Sequence, residues 1–158
     1  MVHSRLRRAI FLLPASQAAL HTGQWQPTLV EGLEGRTLGI VGLGKLGQRV
    51  ARIGQAFGMR VLAWSQNLDA ARAAAAQVEA VDKATLFARS DWISLHLVLS
   101  ERTRHIVGPA ELQAMQPHAW LVNTSRAALV DEQALLAALQ ARRIGGAALD
   151  VFWQEPLP

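Results

Sequence analysis

The residues of this sequence with the clearest capacity for chemistry are three glycines in one short segment. Gly42, Gly44 and Gly47 have the spacing Gly-x-Gly-x-x-Gly. In such a turn the first glycine permits the tight bend, the second lets the backbone approach a pyrophosphate, and the third allows close helix packing. Backbone N–H groups near Lys45 and Leu46 would then face the phosphates. The turn predicts dinucleotide binding, and a turn needed only for packing is the alternative.

The residues on either side of the glycines strengthen this prediction. An apolar run, Leu38 to Val41, precedes them, and Val50, Ile53 and Phe57 recur afterwards at helical spacing. A strand before the turn and a helix after it are the context that dinucleotide binding requires.

The same alternation continues along the chain. We predict strands over 38–41, 60–64, 79–81, 92–95, 120–122 and 146–149, and after the first helix further helices over 68–77, 82–88, 109–115 and 131–141. Short apolar strands alternating with helices indicate parallel pairing, and hence an α/β doubly wound Rossmann sheet in the order 3-2-1-4-5-6 with helices on both faces. Residues 1–36 read as a lead-in helix and loop, and 37–158 as the dinucleotide-binding domain.

Polar residues that follow the predicted strands are the other site candidates, because ligands bind beyond the carboxyl ends of such strands. They are Ser65, His96, Thr124, Arg126 and Asp150. The planar guanidinium of Arg126 could clamp a carboxylate through two hydrogen bonds, although a surface salt bridge fits its position equally. His96 read alone would more often be structural.

Two carboxylates, Asp150 and Glu155, lie in the final motif LDVFWQEPLP. Both are expected on the ligand side of the sheet. Capping or solvating a loop is the alternative role for each.

Composition limits the possible classes of protein. The 158 residues, 51% of them hydrophobic, suit one domain with one core. The net charge of +4 comes from scattered basic residues rather than a stripe, so no nucleic-acid partner is expected. No apolar run reaches the ~18 residues of a membrane span. The absence of cysteine suits a reducing cytoplasm, and we expect an untargeted cytoplasmic protein without a metal site.

Four motifs, GIVGLGKLG, SLHLVLS, LVNTSRAALVDE and GAALDVFWQEPLP, together resemble the nucleotide-binding domain of the D-isomer-specific 2-hydroxyacid dehydrogenases. The likeness covers about residues 14–158. It implies that Arg126 is the catalytic arginine, that Glu155 supports a catalytic histidine, and that Asp150 and His96 lie near the nicotinamide. The implied reaction is hydride transfer between nicotinamide and a 2-hydroxy or 2-keto acid, in which Arg126 binds the carboxylate and a histidine exchanges the hydroxyl proton.

The sequence also departs from that family's pattern. The family's histidine lies beyond the last motif, and none of His3, His21, His105 and His118 has a matching context. The substrate domain has no counterpart either, and residues 1–13 resemble the family helix poorly, as after a displaced start. We therefore expect little turnover from this chain alone. Ala127 and Val98 stand where the family usually has Gly and Pro.

The segment after the second strand bears on the choice of cofactor. NAD-binding domains usually place an acidic residue there for the ribose hydroxyls, and this chain has Ser65. No arginine follows at once, since Arg72 lies about two helical turns further on, and Asp69 reads as a helix cap. NAD and NADP both remain open, with NAD slightly favoured.

The sequence leaves two alternative functions open, and the resemblance also implies a homodimer. A non-catalytic dinucleotide-binding or association module would also fit a domain that lacks the histidine, and nucleic-acid binding rests on the pI of 11.0 alone. The resemblance implies a homodimer formed with the lead-in helix. The apolar residues of this helix would face a partner or the missing domain, or simply pack on their own sheet. These residues are Leu6, Ile10, Leu13 and Leu20.

Overall fold

The computed structural model describes residues 17–25 and 32–156. Its strands are β1 (Thr37–Val41), β2 (Arg60–Trp64), β3 (Glu79–Ala80), β4 (Trp92–Leu95), β5 (Trp120–Asn123) and β6 (Gly146–Leu149). Its helices are α1 (Lys45–Ala56), α2 (Ala70–Ala75), α3 (Lys83–Arg89), α4 (Pro109–Ala114) and α5 (Glu132–Gln140), with a short 3₁₀ turn at Ala127–Leu129.

The six strands form one parallel sheet in the order β3-β2-β1-β4-β5-β6. This order confirms the predicted doubly wound Rossmann topology. The strand order reverses at β1: β2 and β3 follow on one side of it, and β4, β5 and β6 on the other. At this point β1 pairs with β4, with Leu38 opposite Trp92 and Val41 opposite Leu95. Such a reversal point opens a crevice beyond the carboxyl ends of the strands.

The core lies on both faces of the sheet because side chains alternate along each strand. Leu38 and Ile40 of β1 pack in a cluster with Ala51 of α1, whereas Val41 belongs to the opposite cluster with Phe87 of α3. All five are at most 8% exposed. Both faces of the sheet are therefore covered by helices, as a near-continuous apolar strand requires.

Three helices begin at an aspartate whose side chain accepts a backbone hydrogen bond three residues on. Asp69 accepts from Arg72 N at 2.7 Å, Asp82 from Thr85 N at 2.8 Å, and Asp131 from Ala134 N at 2.9 Å. Each bond satisfies an N–H that the first helical turn leaves without a partner. The predicted capping role of Asp69 is confirmed.

The differences from the predicted elements lie at their ends. The helix predicted over 68–77 spans only Ala70–Ala75, because Asp69 caps it and Gln77 takes φ +55°, which helical backbone does not allow. Asp131 caps α5 rather than starting it. In the lead-in, residues 17–21 are helical, whereas the predictions for Leu6, Ile10 and Leu13 concern positions outside the described residues.

No helix within residues 17–25 and 32–156 has the length and apolar character needed to cross a membrane.

Candidate functional site: the carboxyl edge of the sheet

The glycine turn joins β1 to α1 at the carboxyl edge of the sheet. Gly42 has φ +104°, and a Cβ there would come within 2.8 Å of the backbone of His96. A Cβ on Gly47 would collide with the carbonyl oxygen of Gly42. A Cβ on Gly44 would meet nothing within 4 Å. Packing thus explains Gly42 and Gly47, while Gly44 borders open space into which a ligand can approach.

The first turn of α1 offers its backbone N–H groups to that space. The helix starts after Gly44 without a side-chain cap, and its first turn contains no acidic residue. Lys45 is exposed, and Leu46 is 64% exposed. The uncapped N-terminus of this twelve-residue helix has the polarity that an anion such as a pyrophosphate needs.

The end of β2 is tied directly to the glycine turn. Ser65 Oγ accepts a hydrogen bond from Leu43 N at 2.7 Å. The guanidinium of Arg72 donates to Leu43 O at 3.3 Å and to Asn67 O at 3.5 Å. Ser65 and Arg72 therefore both bind the backbone of Leu43 in the turn, where the sequence had suggested only Ser65.

The sequence did not predict that Arg72 contacts the glycine turn, because Arg72 lies seven residues after Ser65 along the chain. The available signal was the cap: with Asp69 as N-cap, Arg72 is the third helical residue, and its long side chain can reach back over the turn. The side chain is exposed, so a ligand can contact it.

His96 follows β4 and lies beside the glycine turn through its backbone, whose N–H donates to Val41 O at 2.8 Å. Its side chain is half-buried, and Nε2 lies 2.9 Å from Ser94 Oγ. Burial lowers the pKa of His96 below its ordinary 6.5, so the imidazole is neutral at pH 7. A neutral ring held by a serine is suited to packing or hydrogen bonding rather than to carrying charge.

The loop after β5 positions Arg126. Asn123, the last residue of the strand, is fully buried; its Nδ2 donates to Arg126 O at 2.9 Å and its Oδ1 accepts from Ser125 N at 3.1 Å. Ser125 Oγ donates to Leu97 O at 2.9 Å, which fixes this loop to the one after β4. The exposed guanidinium of Arg126 donates to Ser125 O at 2.7 Å, and Thr124 is exposed beside it.

The segment after β6 positions Glu155. Trp153 Nε1 donates to Val130 O at 3.2 Å, and Glu155 Oε1 accepts from Phe152 N at 3.0 Å. The bond from Trp153 holds the segment against the loop that follows β5, and the bond from Phe152 fixes the Glu155 carboxylate within the segment. Asp150 is held at its backbone, where N donates to Asn123 O at 3.0 Å, and its side chain is exposed.

A cleft of about 540 Å³ brings the two predicted catalytic residues together. Arg126, Phe152 and Glu155 all line it. Arg104 and His105 line the same cleft, although the sequence analysis did not select them for it. Asp150 and His96 are not among the described residues that line it. The cleft pairs a permanent cation with a carboxylate, as binding of an acid beside a proton-exchanging group requires.

A glycine turn with an open approach, an uncapped helix start and polar loops at the reversal point of a parallel sheet define a dinucleotide-binding Rossmann domain. The sequence model of one family, "D-isomer specific 2-hydroxyacid dehydrogenase, NAD binding domain", matches residues 6–158. The chain belongs to this family. The match begins at residue 6, whereas the motifs suggested a likeness from about residue 14.

Individual relatives agree with this assignment. The chain is 41% identical over 150 residues to glyoxylate reductase of Thermococcus litoralis, covering 89% of this chain and 45% of the relative. It is 40% identical over 147 residues to D-3-phosphoglycerate dehydrogenase of Methanocaldococcus jannaschii, covering 91% and 28%. The crystal structure of phosphoglycerate oxidoreductase from Vibrio cholerae o395 superposes with a TM-score of 0.83 at 46% identity, covering 92% and 48%. The chain spans less than half the length of these relatives.

Proposed function

We propose that this chain is the cofactor-binding part of an oxidoreductase that transfers a hydride between a nicotinamide dinucleotide and a 2-hydroxy or 2-keto acid. The observation that carries the proposal is that the glycine turn and the cleft with Arg126 and Glu155 open at the same edge of the sheet. Residues 37–158 form the dinucleotide-binding domain in this proposal and 1–36 the lead-in. The remaining substrate contacts come from a region with no counterpart in these residues.

The chain's residues fit a dinucleotide because the approach to Gly44 is open and the start of α1 is uncapped. In the proposal the N–H groups at Lys45 and Leu46 hold the pyrophosphate, and the turn of Gly42 and Gly47 shapes its seat. Ser65 lies at the ribose. Thr124, His96 and Asp150 lie at the nicotinamide end of the edge, where the loops after β4, β5 and β6 begin.

The bound nicotinamide would supply the hydride chemistry at its C4 atom. Arg126 binds the carboxylate of the acid through two hydrogen bonds and polarises the C2 oxygen. Glu155, with one oxygen already accepting from Phe152 N, presents its other oxygen to the proton-exchanging imidazole that the family resemblance implies. The side chains of Asn123 and Trp153 donate hydrogen bonds to backbone carbonyl oxygens, and these bonds hold the segments that carry Arg126 and Glu155.

The cofactor preference in this proposal is NADP(H), with NAD(H) accepted. Sequence reasoning slightly favoured NAD because no arginine directly follows Ser65. The contact of Arg72 with the carbonyl of Leu43 supports NADP instead, since it brings a guanidinium to the place where a 2′-phosphate would lie. Ser65 supports it too, because a hydroxyl does not repel a phosphate as a carboxylate would.

We also propose a homodimer and a cytoplasmic location. Two large apolar side chains of the lead-in support association: Leu20 is 55% exposed and Trp25 is 80% exposed. Such exposure is typical of a surface that a second copy covers. Light scattering across a dilution series tests the dimer, and cell fractionation tests the location.

The experiment that tests the function is a fluorescence titration of the purified chain with NADPH and NADH, followed by D-glycerate with cofactor bound. We expect saturable binding of cofactor, then of D-glycerate, with Arg126→Gln removing only the second. Little turnover is expected from the 158 residues alone, since no histidine in a matching context accompanies Glu155. Failure of both cofactors to bind to the folded chain would contradict the proposal, and cofactor binding without an effect of Arg126→Gln would leave a non-catalytic binding module.

A further inference from the structure

The cleft that contains Arg126 also contains a second arginine. Arg104, from the loop after β4, lines the cleft together with His105, and both are exposed to its solvent. Glu155 is the acidic residue among the described lining residues. A single guanidinium suffices to bind one carboxylate through two hydrogen bonds. The surplus positive charge of Arg104 therefore has no role in holding a simple 2-hydroxy acid.

The loop that presents Arg104 is fixed to the loop that presents Arg126. His105 N donates to Ala128 O at 2.9 Å, and Val107 N donates to Leu129 O at 3.1 Å. Within its own loop, Arg104 N donates to Ser100 O at 2.8 Å. The backbone segments that carry the two arginines are thus joined by hydrogen bonds.

The backbone at this point is unusual. His105 has φ +51°, in the left-handed region that non-glycine residues rarely adopt. The hydrogen bond to Ala128 O and the approach of His105 Nδ1 to within 3.8 Å of Asp131 Oδ2 accompany this conformation. Unfavourable backbone conformations of this kind cluster at ligand-binding sites. Here the conformation occurs where two consecutive residues, Arg104 and His105, line the cleft.

The existing partner of Arg104 is weak. Its Nη2 lies 3.7 Å from Glu101 Oε1, and the Glu101 side chain is 91% exposed. An exposed pair at this distance contributes little, so the guanidinium can exchange it for a ligand anion.

We propose that Arg104 is a specificity-determining residue that binds a second anionic group of the substrate. The substrate class is then a 2-hydroxy or 2-keto acid whose far end carries a phosphate, sulfonate or second carboxylate, with its 2-hydroxy acid end held by Arg126. This inference rests on the proposed function and names its substrate class. Both ends of the substrate would be held by the same rigid pair of loops.

The test compares D-glycerate with D-3-phosphoglycerate, which differ by one phosphate, in calorimetric titrations of the NADPH-loaded chain. Arg104→Gln is the variant, and Arg102→Gln is the matched control, because Arg102 is an exposed arginine of the same loop that is not among the described residues lining the cleft. We expect D-3-phosphoglycerate to bind about tenfold more tightly than D-glycerate, the size of one charge-assisted hydrogen-bond pair at an exposed site. Arg104→Gln should abolish this preference and leave D-glycerate binding unchanged, and Arg102→Gln should retain the preference.

Other results would overturn the inference. Equal losses of D-3-phosphoglycerate affinity in Arg104→Gln and Arg102→Gln would mean that general electrostatic attraction causes the preference. Equal affinities of the unchanged chain for the two acids would mean that there is no preference to explain. D-3-phosphoglycerate binding that depends on Arg126 but not on Arg104 would overturn this inference alone. If NADPH binds and neither acid does, the inference and the acid-binding part of the proposed function both fail.

Discussion

The hydroxyl oxygen of Ser65 accepts a 2.7 Å hydrogen bond from the backbone N–H of Leu43, inside the glycine turn. Because the oxygen acts as acceptor, its own hydrogen points elsewhere and can be donated to a ribose or phosphate oxygen. The bond also holds the end of β2 against the turn. Ser65, which stands where an acidic residue is usual, thus connects the two parts of the proposed cofactor site.

Replacing Arg72 tests the cofactor preference. Arg72→Gln should lower NADPH affinity about tenfold and leave NADH affinity unchanged, because a guanidinium beside a 2′-phosphate forms a charge-assisted hydrogen bond that NADH does not need. Fluorescence titration with each cofactor measures the ratio. Arg52→Gln, an exposed change on α1, is the control for net charge. Parallel loss of both cofactors would argue against a 2′-phosphate contact.

Replacing two glycines of the turn separates folding from binding. Gly44→Ala should reduce the free energy of unfolding by less than about 1 kcal/mol, the difference between glycine and alanine at an N-cap, yet lower cofactor affinity strongly. Gly42→Ala should destabilise the fold by about 1–3 kcal/mol or more, because alanine at φ +104° is strained and its Cβ meets the backbone of His96. Urea denaturation and NADH titration measure the two effects. Undiminished NADH binding by Gly44→Ala would refute the assigned approach.

Replacing Asn123 tests the support of Arg126. Asn123→Ala removes two hydrogen bonds in a fully buried position and leaves Ser125 N–H and Arg126 C=O without those partners, so we expect a loss of about 1–3 kcal/mol in unfolding free energy. D-glycerate binding should weaken more than NADPH binding, since the loop that carries Arg126 loosens. Denaturation and sequential titration provide the readouts, and Gln133→Ala, at an exposed position of α5, is the control. A stable variant with normal D-glycerate affinity would show that Asn123 does not position Arg126.

At the amino edge of the sheet, Asp91 is expected to make the stability of the fold depend on pH. Burial would raise the pKa of Asp91, but a 2.7 Å hydrogen bond from Thr37 N, a 2.6 Å bond with His118 Nε2 and the charge of Arg36 together hold it below its ordinary 3.8. A lowered pKa in the folded state means that ionised Asp91 stabilises the fold above pH 3.8, and that this contribution is lost as pH falls through the folded-state pKa.

The corresponding measurement is the unfolding free energy of Asp91→Asn from pH 7 to pH 3. We expect a loss of about 1–3 kcal/mol at pH 7 that shrinks below pH 3.8. Glu101→Gln, at a carboxylate that is 91% exposed, should change little across the range. A loss that is constant with pH would mean that the charge of Asp91 is not what stabilises this edge.

Much of the fold follows from local pattern in the sequence. The strands Arg60–Trp64, Trp92–Leu95 and Gly146–Leu149 occur where apolar runs between turn residues predicted them. Sheet order followed as well, because crossover handedness leaves few topologies for alternating strands and helices. The ends of elements were less predictable, since they depend on single caps and on residues such as Gln77 with positive φ.

The site was predictable only in part. Arg126 and Glu155 follow strands, and the structure places both in one cleft. Arg72 and Arg104 depend instead on the reach and direction of long side chains and on hydrogen bonds between loops that are remote in sequence. The bond from His105 N to Ala128 O, which joins two loops, has no signature in local pattern.

The short helix α2 has an evolutionary consequence. Arg72 and Asn67 are exposed near its start, and the helix has only six residues with one of them buried. Substitutions there alter the surroundings of Ser65 with little loss of folding stability, whereas Gly42 is constrained by the backbone of His96. In the proposed cofactor site, evolution can therefore alter the preference between NAD and NADP through surface substitutions of low structural cost, whereas Gly42 tolerates few replacements.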